Sequence, residues 1–359
     1  MRQQDDDYWL NLSDTFSADE GAGESEHGVL IEEIGGVVPL DAQFGVWPTR
    51  TTPEALHEPL FGDLRSQRDE TAPLNTYAIL DAVKFIGGAS EFDECDLPSK
   101  CLFKGEMAEQ LRDVAPYLFE LSDAAELTRR LMTHLPDKPS TLTSLHMWGA
   151  DPGIYIRSGL AFDEIWSQFR KFTRIRDARR GWLYFRFWEP RVLRKLVERL
   201  SNKPKHWLWR MFDGVEAVVL VHTGKAFRVT VPQTYCELSR GLKICAEDIF
   251  DDLSAVQHSI FCEDLAVKLG DEKALSFSLN EDGDLASRIS DLSMHANSYG
   301  LKDRKSVERY IVSCHIFGKP AEAIPEAYKI LQENRHELDR SRQLLNFAFQ
   351  YLENRSGRM

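Results

Sequence analysis

Several things are scarce in this sequence, and each scarcity narrows what the chain can be. No stretch approaches the roughly 18 apolar residues of a membrane-spanning helix. The first ten residues, MRQQDDDYWL, are acidic and lack the apolar core of a secretory signal, so a cytosolic protein is expected. Cysteine is sparse, six in 359 residues, which argues against a disulfide-built scaffold. Walker A, HExxH, GxSxG and paired CxxC motifs are missing, so no familiar catalytic signature directs the reading. Net positive charge is lacking too, since 44 Lys and Arg face 57 Asp and Glu for a balance of −13. What is present points to a folded chain. A hydrophobic content of 43% with 11% aromatics excludes wholesale disorder, and the length suggests two domains.

The charge is uneven along the chain. Residues 1–27 hold eight acids and one base, or −7. Residues 170–210 hold fourteen bases and three acids, or +11, and the remainder carries −17. Clustered charge steers encounter with an oppositely charged surface, such as an acidic protein face or a phosphate backbone. The plainer reading is that acidic neighbours neutralise the basic strip, because charge runs usually mark solvated faces. Trp182, Tyr184, Phe185, Phe187, Trp188, Trp207 and Trp209 interleave with these bases, a pattern that also suits stacking on single-stranded nucleic acid. It equally suits a sheet core with arginine stems laid along it.

Patterning divides the chain into four parts. Residues 1–27 read as a disordered acidic arm. Residues 28–73 read as an extension wrapping the core, with a short hairpin at 29–38 and one short helix in the proline-rich part. Residues 74–232 alternate strands and helices. Thr76–Ala82 (TYAILDA) is apolar almost throughout, as in a strand buried on both faces, with Asp81 near its end. Further strands are expected at Cys101–Lys104, closed by Gly105, at Tyr117–Leu121 and at Ile154–Arg157. Phe162, Ile165, Trp166, Phe169 and Phe172 share one helical face. Trp182–Trp188 (WLYFRFW) is bulky on both faces and is expected to be a central strand, with Arg186 buried among aromatics. A buried arginine needs a carboxylate or carbonyl partner, and Asp81 is the first candidate. Pro190 opens a helix whose polar face carries Arg191, Arg194, Lys195 and Arg199. Thr223-Gly224-Lys225 marks a hairpin. Residues 233–359 turn helical. One pattern runs through Leu238, Leu242, Cys245, Ile249, Val256 and Ile260; a second helix starts at the Asp303 cap and ends at Gly318; the last presents Leu338, Leu345, Phe349 and Leu352.

Chemistry-bearing residues are scattered. His258 and Cys262 lie at i, i+4 and would both reach one metal, but two further ligands at suitable spacing are missing, so a buried cysteine beside a surface histidine is the plainer reading. No histidine pairs with an evident nucleophile in sequence, although triads assemble in space. No metal, cofactor or catalytic residue is expected.

The motifs in order are TYAILDA, LFKGEMAEQLRDVAPYLFEL, GIYIRSGLAFDEIWSQFRKFTRI and WLYFRFWEPRVL. They resemble the successive motifs of the type VI secretion effector chaperone/adaptor family (the Tap/TEC type), closely over about residues 74–200 and loosely to 350 through YGLKDRKSVERYIVSCHIFG. Residues matching the family's pattern are Tyr77, Asp81, Phe103, Gly105, Pro116, Arg170, Phe185, Arg186, Phe187, Pro190 and Arg191. Two positions depart from it: Glu189 stands where an aspartate is usual, and Gln168 where a histidine is usual. The resemblance implies a cytoplasmic protein of a Gram-negative bacterium, without enzymatic activity, that binds one toxic effector and loads it onto the VgrG spike. The expected architecture is an α/β lobe, a mixed sheet with flanking helices, followed by an all-α lobe. Effector contact is expected on the apolar surface between them, with Trp188, Arg191, Arg194 and Arg199 as partner contacts. A nucleic-acid-binding module using residues 170–210 is the alternative.

Overall fold

A computed structural model describes residues 28–63, 73–138, 143–177, 181–201, 205–240, 246–270 and 284–356. The expected acidic arm, Leu242 and Cys245 lie outside these. The chain divides into two compact units, Met1–Leu253 and Ser254–Met359.

Nine strands are described in the first unit. They are β1 (Leu30–Ile34), β2 (Asn75–Asp81), β3 (Ser99–Cys101), β4 (Pro116–Leu121), β5 (Gly153–Ser158), β6 (Arg174–Asp177), β7 (Gly181–Tyr184), β8 (Val215–His222) and β9 (Lys225–Thr230). Seven form one sheet in the order β1-β9-β8-β5-β2-β4-β3, antiparallel at every pairing, and β6 and β7 form a separate hairpin. Flanking helices are α1 (Glu54–Phe61), α2 (Ser90–Asp93), α3 (Glu106–Gln110), α4 (Glu126–Met132), α5 (Phe162–Phe169), α6 (Pro190–Leu200), α7 (His206–Met211) and α8 (Gln233–Leu238). The α/β lobe expected from the sequence is therefore present. β2 sits between β4 and β5 and is buried on both faces, as its unbroken apolar run requires. Ala78 and Leu80 join the cluster of Phe92, Phe119 and Leu131, while Tyr77 and Ile79 are buried on the opposite side.

Three expectations are corrected. Residues 29–38 do not form a hairpin: β1 is a single edge strand paired with β9, and the chain turns at Gly35-Gly36 without returning. Residues 182–188 are not a central strand. β7 ends at Tyr184, and a turn at Phe187-Trp188 swings the second tryptophan inward. Nor is Arg186 the buried arginine. That residue is Arg157 on β5, which donates to the carbonyls of Leu60 and Gly62 and to Thr76 Oγ1. It thereby fastens the open C-terminal end of α1 to the sheet.

The second unit is helical, as expected. It is entered by α9 (Ala246–Leu269), which begins in the first unit, and contains α10 (Leu285–Ser298), α11 (Arg304–Phe317), α12 (Pro325–Gln332) and α13 (Glu337–Ser356). Asp303 caps α11 by accepting from the amides of Lys305 and Ser306, and Gly318 ends it at φ 66°. The last helix turns the other way from expectation. Leu344 and Ala348 are buried and Phe347 and Tyr351 pack against Phe317, while Phe349 and Leu352 face solvent. Two apolar stripes compete on this helix, and the buried one meets the aromatic ring of Phe317 on α11.

Gly153 shows how closely the central strands approach. A β-carbon there would fall 1.9 Å from the carbonyl oxygen of Ile79 on β2. Gly153→Ala should therefore lower unfolding free energy by about 3 kcal/mol or more, read by urea denaturation.

Candidate partner-binding surface

The surface is organised by one carboxylate. β2 delivers Asp81 to the edge of the core, where its side chain is 4% exposed. Its Oδ1 accepts from the amide of Val83 at 3.2 Å, capping the short turn that follows. Its Oδ2 accepts from Arg186 Nη2 at 2.6 Å and from Trp188 Nε1 at 3.1 Å. The expected Asp81–Arg186 pair is thus formed, with the burial reversed: the carboxylate is inside and the guanidinium is 48% exposed. Phe185 and Phe187 are buried against each other, with Phe169 and Trp207 around them.

Fixing Arg186 and Trp188 fixes the hairpin before them. Arg174 pairs in register with Tyr184 and Arg176 with Trp182, so these four side chains share a face. The Arg174 guanidinium lies 4.2 Å from the Trp182 ring and 6.0 Å from Tyr184, and Arg176 lies 5.9 Å from Trp182. Tyr184 packs on Phe103 and donates to Met107 Sδ at 3.4 Å. Gly105, at φ 65°, turns the chain from Phe103 into α3 and so places Met107 there. Trp166 of α5 donates to the Cys101 carbonyl at 2.7 Å, beneath Lys100 and Arg170. Pro116 begins β4 opposite Asp81, and Tyr77 donates to the Leu160 carbonyl at 2.7 Å. The four sequence motifs therefore converge in space.

The expected partner contacts fare differently. Trp188 is buried and cannot offer its ring to a partner. Arg194 lies 3.9 Å from the Phe227 ring and pairs with Glu198 at 2.7 Å. Arg199 and Lys205 share the buried carboxylate of Asp252 at 3.4 and 2.9 Å, where Trp207 Nε1 also donates. Arg191 is engaged within the chain as well. Much of the basic strip on α6 is thus matched internally. Pro190 occupies the first turn of α6, and Glu189 caps it with its backbone but no side-chain bond. Gln168 donates to the carbonyls of Met211 and Asp213, pinning the end of α7.

Sequence patterning missed a second exposed feature. Between β1 and α1 the loop 41–50 carries Phe44 at 93% and Trp47 at 91% exposure, with Val46 beside them. The loop is held at both ends. Leu40 exchanges backbone bonds with Met132 and His134, and Thr51 and Thr52 donate to Asp123 Oδ1 at 3.0 and 2.9 Å. Inside it, Gln43 takes the left-handed conformation at φ 49°, donates to the Arg50 carbonyl and accepts from the Arg50 amide at 2.8 and 2.7 Å. The available signal was two aromatics set among turn-forming residues, with no strand or helix period to bury them.

Elsewhere, His258 Nε2 lies 3.6 Å from Cys262 Sγ and 3.2 Å from Ser290 Oγ. Burial pushes the thiol up to about 11 and holds the imidazole below its usual range, which does not favour the thiolate–imidazolium pair of a cysteine nucleophile. Among the described residues no third ligand joins them. No described helix is long and apolar enough to cross a membrane.

Comparison with known proteins bears on the region where the motifs converge. Residues 76–206 match the family described as Domain of unknown function (DUF4123). The match covers a little over a third of the chain and spans β2 to the start of α7. The loop 41–50 and the second unit lie outside it. No match to the chain is found among curated proteins or solved structures.

Because Asp81 is buried and Arg186 is its charged partner, Arg186→Ala should cost about 2 kcal/mol, less than for a pair buried on both sides. Arg194→Ala, at a partly exposed pair on a helix surface, should cost under about 1 kcal/mol. Chemical denaturation of the two variants tests the contrast.

Proposed function

We propose that this chain is a cytoplasmic adaptor of a type VI secretion system, a binder rather than an enzyme, that holds a toxic effector and delivers it to the VgrG spike. The DUF4123 match and the ordered motifs support the secretion role. The observation that carries binding is the loop 41–50. Two large aromatic rings stand almost wholly in water on a backbone braced at both ends. Aromatic side chains on pre-ordered backbone are what interface anchors consist of: they bring large apolar area and lose little freedom on docking. The loop lies outside the matched region, which fits recognition of the individual effector, whereas the region of converging motifs fits a role shared across the family.

Co-expression of the chain with each toxin and VgrG encoded in the same genome, followed by pull-down, tests the reading. One toxin should become soluble and co-purify; if none does, the adaptor role fails. Phe44→Ala with Trp47→Ala should weaken retention of that toxin by about thirtyfold or more, with an unchanged melting temperature because neither ring supports the core. Undiminished retention by the double variant would move the anchor elsewhere.

A further inference from the structure

Most cations of α6 and its flanks have partners inside the fold, as the pairs with Glu198, Asp252 and Asp81 show. Arg174 and Arg176 differ. Among the described residues they meet aromatic rings and no carboxylate. Arg174 Nε is buried without a hydrogen-bond partner, beneath rings of Trp182 and Tyr184 that are themselves 49% and 45% exposed. Positive charge also gathers just before β6 in the chain. Lys171, just before β6, is held below the usual lysine range by burial and then by Arg210 and Arg170. Guanidinium groups flanked by rings, with no acid beside them among the described residues, suit carboxylates, which they bind through two parallel N–H···O bonds.

The chain itself carries such a ligand. Residues 1–27 hold eight acids and one base. They join the described fold at Gly28, which lies against Ser201 at the end of α6, where a β-carbon would come 2.7 Å from the Ser201 carbonyl oxygen. The acidic segment is therefore tethered at the end of α6. Twenty-seven residues extend up to ~90 Å, so reach is no obstacle. Tethering raises the local concentration of the acids to about the millimolar range.

We propose that the hairpin face of Arg174, Arg176, Trp182 and Tyr184 is a docking site for an acidic polypeptide segment, and that its resident occupant is residues 1–27 of the same chain. An acidic partner then meets an occupied site and must displace the arm, which lowers its apparent affinity by the fraction of open chains. This docking does not depend on what the chain loads.

A fluorescent peptide of residues 1–27 is the probe, and every protein tested is the full chain. The wild-type chain, already occupied, should bind the peptide weakly. A chain with all eight carboxylates of residues 1–27 changed to their amides should bind it at least about tenfold more tightly at low salt, and the gain should shrink as salt rises. Adding Arg174→Glu and Arg176→Glu should remove the gain. Arg174→Gln with Arg176→Gln should remove it too, at an unchanged melting temperature, which separates lost docking from lost folding. Equal peptide binding by the wild-type and amide chains overturns the proposal, as does a gain that survives the arginine changes. A gain seen with a single-stranded oligothymidine but not with the peptide also overturns it and assigns the face to nucleic acid.

Discussion

A carboxylate at the end of a central strand is costly to bury unless hydrogen-bond donors come to it. Asp81 is such a carboxylate, and two of its three donors arrive from 105 and 107 residues further along the chain. That requirement decides the local path. β7 must stop at Tyr184 so that Arg186 can reach inward from the surface and Trp188 can turn under it. Phe185 and Phe187 then fill the core beside Phe169 and Trp207. Pro190 starts α6 in the direction that brings Arg199 to Asp252. Two buried acids, Asp81 and Asp252, thus organise the same stretch of chain from opposite ends.

The same pairings sort the charges. A net −13 with a +11 segment looks like an electrostatic device spread along one strip. In the fold much of that strip on α6 is matched at short range, so its long-range field is weaker than its composition suggests. Among the described residues, two guanidinium groups on a small hairpin meet rings and no carboxylate. Charge counted in sequence overstates the binding face because it cannot tell a cation with an internal acid from one without.

Much of the fold was legible wherever local rules suffice. The unbroken apolar run of TYAILD, the alternation around Thr223-Gly224, Pro190 at a helix start, and the Asp303 and Gly318 caps all appear where patterning put them. The errors share a cause, which is that tertiary partners settled a local tie. WLYFRFW alternates well enough for a long strand, and only the pull of Asp81 on Trp188 breaks it. On α13 two apolar stripes were available, and Phe317 selected between them. Arg157 gave no local sign, since its partners are backbone carbonyls that no side-chain pattern reveals. At the candidate surface the Asp81–Arg186 link was legible from chemistry alone, while Trp188 was misplaced by the same alternation that placed Phe185 and Phe187 correctly.

The loop 41–50 is a structural island. Its anchors are backbone bonds at Leu40 and the Asp123 carboxylate beneath Thr51 and Thr52, and its internal braces are the side chains of Asp41 and Gln43. Phe44 and Trp47 contribute almost nothing to the packing below. Their identity is therefore decoupled from the folding of the scaffold, and positions 44 and 47 form a cassette. Keeping Asp41, Gln43, Arg50 and the two threonines while randomising those two would vary the displayed surface on one unchanged frame. Such a frame lets a library be selected for new ligands without first being screened for folding.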